Sequence, residues 1–536
     1  MDPFLKWCMW CFLTIIFLGS ASPSNDTCET VRSIRIRSLD VFEGSGNLNF
    51  VQHGMQALHH TTRDTIIRHE LLIHVGDCFD EALVAETERN LRSMGIFADA
   101  QIMVEPSDDG IGRDLTVITK DRFSLRFELS FSRKGGLNKL RYSVGEKNLL
   151  GLGLDFHYSA SSRSDGTEVK KMVFTDPRVF KKFQVGAAYG STDEGIFREY
   201  SIVKPFWSLE EKNSYGLSFT GDHTKSDFYR DGGESIEIPN DHERLGLNWA
   251  HEFGTASLSK RLNIGAGHED LSYEPTDGIE VPPITKGPYL EMAVGWDHRQ
   301  RFLTRTGIDS LRRTEDIEEH TALTLGLRTN WRVREGETQT HQTLHLEFFK
   351  TLVPNDRNLW SFGLEGAARF HVNRNRASEL AGFAHYYRFL AHQQSLVFGI
   401  THTYTDTEDD LYLPLTLGED VGLRGYRAFG LTGNKTLLVN LEHRWIYPLK
   451  TQHMSWGQVV FLDLGSAWKP GEALNLDGLH TGVGWGLRLD MPSLFGSKVF
   501  RLDFAHGFDG EGFSVSASVG QIFQHNEMNR GFSREY

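Results

Sequence analysis

The chain has 536 residues, a formal net charge of −14 and a mean hydropathy of −0.37. That length exceeds one ordinary core and calls for several domains or one very large barrel, while residues 22–120 and 121–536 are each net acidic, which leaves no clustered basic footprint for nucleic acid. Aromatic residues are abundant, with 36 Phe and 11 Trp beside 53 Gly and no long apolar run beyond the N-terminus, a balance that suits many alternating strands.

Residues 1–21 read as a secretion leader: Lys6 gives a positive start, CFLTIIFL (11–18) is a short apolar core, and Gly19-Ser20-Ala21 is a small-residue cleavage site. An uncleaved anchor would need roughly 20 apolar residues. Cleavage removes Cys8 and Cys11, so their spacing is not read as a redox motif. Cys28 and Cys78 remain and either pair, closing a loop worth about 4 kcal/mol, or stay as two thiols; spacing does not decide.

Residues 22–120 are expected to form a small α+β domain. VRSIRIR (31–37), DAQIMVE (99–105) and DLTVITK (114–120) alternate as strands, and TIIRHELLIH (65–74) and FDEALVAETERNLRSMG (79–95) have helical spacing. In the second helix Asp80 is the N-cap, Leu83, Thr87, Leu91 and Met94 form one stripe, and Gly95 is the stop. HELLIH (69–74) places its histidines five apart, where a zinc helix needs four, and His53, His59 and His60 lack a further ligand pattern. No metal or other cofactor is expected.

From residue 121 the period changes to two. FSLRFELSFS (123–132), VGWGLRLDM (483–491) and FRLDFAHGF (500–508) alternate apolar and polar side chains between Gly, Asp, Asn and Ser turns. Such segments over residues 121–523, behind a leader, predict an all-β transmembrane barrel in a bacterial outer membrane, because only a closed barrel satisfies every strand's backbone in lipid. About fifteen candidate strands precede Arg424 and five follow it. Residues 524–536 form a C-terminal tail.

In VVFLDLGSAW (459–468), alternation sets Val460, Leu462, Leu464 and Trp468 toward lipid and Phe461, Asp463 and Gly465 toward the lumen. Together with GLRGYR (422–427), this strand resembles the BamA/TamA outer-membrane assembly superfamily, which includes two-partner-secretion transporters. ETERNLRSMGIFADAQI resembles part of a polypeptide-transport-associated (POTRA-like) domain, and NLLGLG (148–153), DPRVF (176–180) and KPF (204–206) resemble early-barrel motifs.

The resemblance implies a sixteen-strand barrel with a loop folded into its lumen, Arg424, Gly425 and Tyr426 meeting Phe461, Asp463 and Gly465. On that count some strand candidates, such as LSKRLNIGAG (258–267), become loop hairpins. It also implies a seam between FSLRFELSFS and GFSVSASVGQIF (512–523). The expected partners are unfolded polypeptide clients in the periplasm, outer-membrane lipid and accessory proteins, and no nucleic acid.

Loss of Arg424 or Asp463 is expected to unlatch the loop, and exchanging the two charges to restore it in part. No Gly-x-Ser-x-Gly elbow occurs, and DTEDD (406–410) departs from calcium-loop spacing, so a non-enzymatic role is expected. The alternatives to assembly are a dedicated two-partner-secretion pore and a plain diffusion pore.

Overall fold

The computed structural model describes residues 28–41, 53, 56 and, with gaps of one to ten residues, 59–522. The expected leader, residue Phe523, the tail and most of DTEDD lie outside the described residues. No helix of the described chain is long and apolar enough to cross a membrane.

Residues 30–121 form a small unit of β1 (Thr30–Leu39), α1 (Asp64–Glu70), α2 (Glu81–Ser93), β2 (Phe97–Pro106) and β3 (Gly112–Asp121). Its sheet runs β1-β3-β2, with β1 parallel and β2 antiparallel to the central strand. Ile67, Ile73, Leu91, Phe97, Leu115 and Val117 fill the core between sheet and helices. Cys28 and Cys78 are joined as a disulfide, with Cα atoms 5.5 Å apart.

In α2 the Asp80 Oδ1 accepts the Ala82 N–H at 2.7 Å, and Gly95 stops the helix at φ +70°. The buried stripe holds Val84, Thr87 and Leu91, with Leu83 only partly covered. TIIRHELLIH departs from expectation, because the chain leaves the helix after Glu70 and turns extended at Leu71. Leu71 and Ile73 still reach the core from that extended segment, so its apolar content serves packing without helical continuation.

The rest of the described chain is one closed antiparallel barrel. It begins with β4 (Leu125–Lys134), β5 (Leu137–Leu149), β6 (Leu154–Arg163), β7 (Glu168–Val179), β8 (Phe183–Thr192) and β9 (Ile196–Lys204). Longer strands follow: β10 (Asn213–Tyr229), β11 (Ser235–Gly254), β12 (Leu258–Tyr273), β13 (Thr285–Arg305), β14 (Glu315–Arg334) and β15 (Glu337–Asn355). The wall continues through β16 (Asn358–His371), β17 (Ala377–Leu390) and β18 (Gln394–Thr407). A long connection carries the short hairpin β19 (Leu415–Leu417) and β20 (Leu431–Gly433) before β21 (Lys435–Pro448). The closing strands are β22 (Ser455–Trp468), β23 (His480–Asp490), β24 (Phe500–Gly507) and β25 (Gly512–Val519).

Among the described residues the wall has twenty strands, where the resemblance implied sixteen: fifteen precede the Arg424 loop and five follow it. LSKRLNIGAG is the body of β12, paired with β11 and β13, rather than a loop hairpin. Alternation had marked these segments individually; the sixteen-strand number came from the resemblance alone. The first strand starts at Leu125, because Phe123 and Ser124 are buried outside it, and the last ends at Val519.

Outward positions expose large apolar side chains at alternate residues, including Leu245, Leu247 and Trp249 on β11, Leu290, Met292 and Trp296 on β13, and Trp485 and Leu487 on β23. An apolar surface that encircles the wall is far larger than a water-facing protein tolerates, and lipid is its matching solvent.

Candidate functional site: a buried arginine in the lumen

The connection between β18 and β21 folds back inside the barrel. Leu423 is fully buried and packs with Leu417, Tyr426 and Leu438, which anchors the apolar side of the loop. Gly425 has φ +92°, and a Cβ there would stand 2.8 Å from the backbone nitrogen of Gly507. Glycine is needed twice over, for the left-handed backbone and for contact with the wall. The Tyr426 hydroxyl donates to the Thr481 carbonyl at 2.9 Å, and its ring meets His480 edge-on.

Between these anchors Arg424 is wholly removed from solvent. Its Nε donates to Asp463 Oδ2 at 2.7 Å and its Nη2 to Asp463 Oδ1 at 2.8 Å, a two-pronged fork, while its backbone N–H reaches Oδ2 at 3.2 Å. The third nitrogen, Nη1, donates to Glu442 Oε1 at 2.8 Å. The guanidinium lies over the Phe461 ring, 3.4 Å from its centroid. Planar arginine suits this place because one rigid group serves two carboxylates and an aromatic face.

Phe461, Asp463 and Gly465 share the inward face of β22, and Val460 faces out. Gly465 leaves room for the loop, since a Cβ there would meet Leu417 Cδ2 at 2.9 Å. Trp468 departs from its expected lipid-facing place. It is buried at the end of β22, where the β19–β20 hairpin adds a second layer: the Asn434 N–H donates to the Trp468 carbonyl, and a Cβ on Gly433 would collide with that same oxygen.

The residues that sequence reasoning missed lie chiefly on β21. Asn440 stands opposite Asp463 and donates to its Oδ1 at 2.6 Å, and Glu442 bridges Arg424 to Arg444, whose Nε donates to Glu442 Oε2 at 2.8 Å. A run of four buried charges of alternating sign results, Arg444, Glu442, Arg424 and Asp463. Asn440, Glu442 and Arg444 repeat at period two in VNLEHRWIYP, the one signal that could have found them. Beside them Arg488 donates to Asp503 at 2.6 Å.

At the other end of the lumen the small unit docks on the barrel through the early-barrel motifs. Asn148 Nδ2 donates to Thr62 Oγ1 at 2.8 Å, and the Arg63 N–H donates to the Gly151 carbonyl. Arg178 pairs with buried Glu70 and covers the Trp207 ring. On α2, Glu86 accepts the Leu209 N–H at 2.6 Å, Asn90 donates to the Trp207 carbonyl, and Arg92 forks onto Asp316 at 3.0 and 2.9 Å.

Arg122, in the link between β3 and β4, donates to the Gly95 carbonyl; burial, with Arg313 and Arg126 nearby, pushes its pKa down to about 9. His59 is held by Asp121 at 3.2 Å, while His53 and His60 are exposed, so the three do not form a ligand set. Asp297, Glu318 and His320 have the atoms for a metal site within 4.8 Å, but Arg299 already contacts both carboxylates, at 2.7 and 2.9 Å.

Fold and site together define a transmembrane barrel with an arginine loop locked inside it and a small α+β unit at one mouth. No protein-family profile matches the chain, and no curated protein matches it in sequence. Among solved structures it is similar to BamA from Haemophilus ducreyi lacking POTRA domains 1–3, at 12% identity and a TM-score of 0.39, covering 93% of this chain and 85% of that one. It is also similar to CdiB from Acinetobacter baumannii, at 12% identity and TM-score 0.45, covering 92% and 74%. The siderophore receptor PirA from Pseudomonas aeruginosa matches at 12% identity and TM-score 0.37, covering 78% and 79%.

Proposed function

We propose that this is a bacterial outer-membrane protein of the BamA/TamA type, which inserts barrel proteins into the membrane or translocates polypeptides across it. In this reading residues 22–120 are a periplasmic polypeptide-transport-associated domain that captures extended clients by strand addition, and residues 121–523 are the barrel that receives them. The function is non-enzymatic.

The observation that carries the reading is the seam. β24 and β25 pair along the whole of Phe500–Gly507, and β4 and β5 along the whole of Leu125–Lys134, but among the described residues β25 and β4 are aligned at one pair, Ser516 opposite Ser132. Backbone groups left over at such a junction are the edge that an incoming strand uses. The experiment is a disulfide across it, Ser132→Cys with Ser516→Cys. Oxidation should stop client assembly or export and reduction should restore it; undiminished client handling with the seam locked would refute lateral opening.

A further inference from the structure

The connection from β13 to β14 does not return directly along the wall. Residues 306–311 turn across the lumen, and Gly307, Ile308, Ser310 and Leu311 are buried. Three consecutive N–H groups, of Ile308, Asp309 and Ser310, converge on the Glu315 carboxylate at 3.0, 3.1 and 2.8 Å and fix the turn. Ile308 joins Ile317, Val353, Leu359, Tyr387 and Val397 in one apolar cluster.

The far side of the turn reaches distant strands of the wall. The Ile308 carbonyl accepts from Arg444 Nη1 at 3.0 Å, and the Leu311 N–H donates to Asp490 Oδ2 at 2.6 Å. Arg444 is on β21, five strands along the wall from β14, and Asp490 is on β23, seven strands along. A chain segment spans that separation only as a chord through the barrel.

We propose that residues 306–311 are an internal strap that mechanically joins the small unit to the arginine loop. At its base β13 and β14 carry Phe302, under the Arg89 guanidinium at 3.9 Å, and Asp316, held by Arg92, so α2 grips the hairpin from which the strap springs. At its tip the strap holds Arg444, which holds Glu442, which holds Arg424. Every link is a direct contact between named groups, so displacing α2 releases the strap and loosens the loop. A client seated on the small unit would act on the lumen by this route, a consequence that rests on the function proposed above.

The test uses the full chain folded in lipid vesicles and needs no client, so its failure is separable from failure of the functional reading. Leu311→Cys supplies a buried thiol for maleimide labelling, and trypsin cleavage at Arg313 reports the strap without that reporter. Arg92→Ala should raise both rates about tenfold through local opening, and Asp463→Ala should do the same from the other end. Unchanged rates in Arg92→Ala, with the barrel still folded by its heat-dependent gel migration, would overturn the strap. A rise in Arg92→Ala but none in Asp463→Ala would overturn its link to the arginine loop.

Discussion

Glu442 and Asp463 occupy neighbouring strands and hold the same guanidinium, one at 2.8 Å and the other through a two-pronged fork. The second carboxylate changes what a charge exchange can do. Arg424→Asp with Asp463→Arg places the new aspartate beside Glu442, so the exchanged pair is expected to stay unlatched, contrary to the partial rescue that a two-residue view implies. Recovery of loop protection in the double variant would show that Glu442 exerts no hold.

Arg424→Ala removes the cation between two buried acids and should cost about 3–5 kcal/mol, the range for breaking one partner of a buried pair. Arg424→Lys should recover only part of it, because a point charge cannot fork onto Asp463 and still serve Glu442. Urea unfolding of the vesicle-inserted barrel measures both.

Gly482→Ala tests the fit of loop to wall without touching a charge. A Cβ at residue 482 would lie 2.0 Å from the Arg424 carbonyl oxygen, so the loop must lift away from β23. We expect the loop to become protease-sensitive while the barrel keeps its folded gel migration. A loop as resistant as the wild type would show that the close approach can be relieved locally.

What could be read beforehand follows a simple physical division. Period-two patterning exposed the strands one by one, and it placed Phe461, Asp463 and Gly465 on one face because a strand's alternation is local. Trp468 defeated it because a hairpin from elsewhere in the chain covers that strand end. HELLIH was misread because helical spacing and an extended apolar segment share the same residues over so short a stretch. The strap lay beyond reach altogether: nothing in GIDSL tells that its N–H groups will meet Glu315 or its carbonyl an arginine five strands away.

The pH dependence of the small unit has a defined direction. Burial, only partly offset by the Leu209 N–H and Arg89, raises the Glu86 pKa above the ordinary 4.5. An acid that binds its proton more tightly when folded contributes its stability at pH below the ordinary value, and loses it as pH rises through the raised value. Thermal unfolding followed across that window should show the small unit weakening as pH climbs. Glu86→Gln, which keeps an acceptor for Leu209, should flatten the slope and be more stable than wild type at neutral pH.

Reduction of Cys28–Cys78 opens a link between residues 50 apart in sequence and should destabilise the small unit by about 4 kcal/mol. The barrel's gel migration should not change on the same treatment. Loss of barrel folding on reduction would mean that the small unit supports the wall.

The arginine loop and the seam also imply an order of events. Arg424 and Asp463 are 39 residues apart, whereas Ser132 and Ser516, whose meeting closes the cylinder, lie at opposite ends of the sheet's sequence. Contacts between near neighbours in sequence form sooner than those that must close a long chain. On these separations the loop is expected to seat on the β21–β22 hairpin while the sheet is still open, so that the wall later curls around a lumen already occupied. In that order the loop need not be threaded through a finished cylinder.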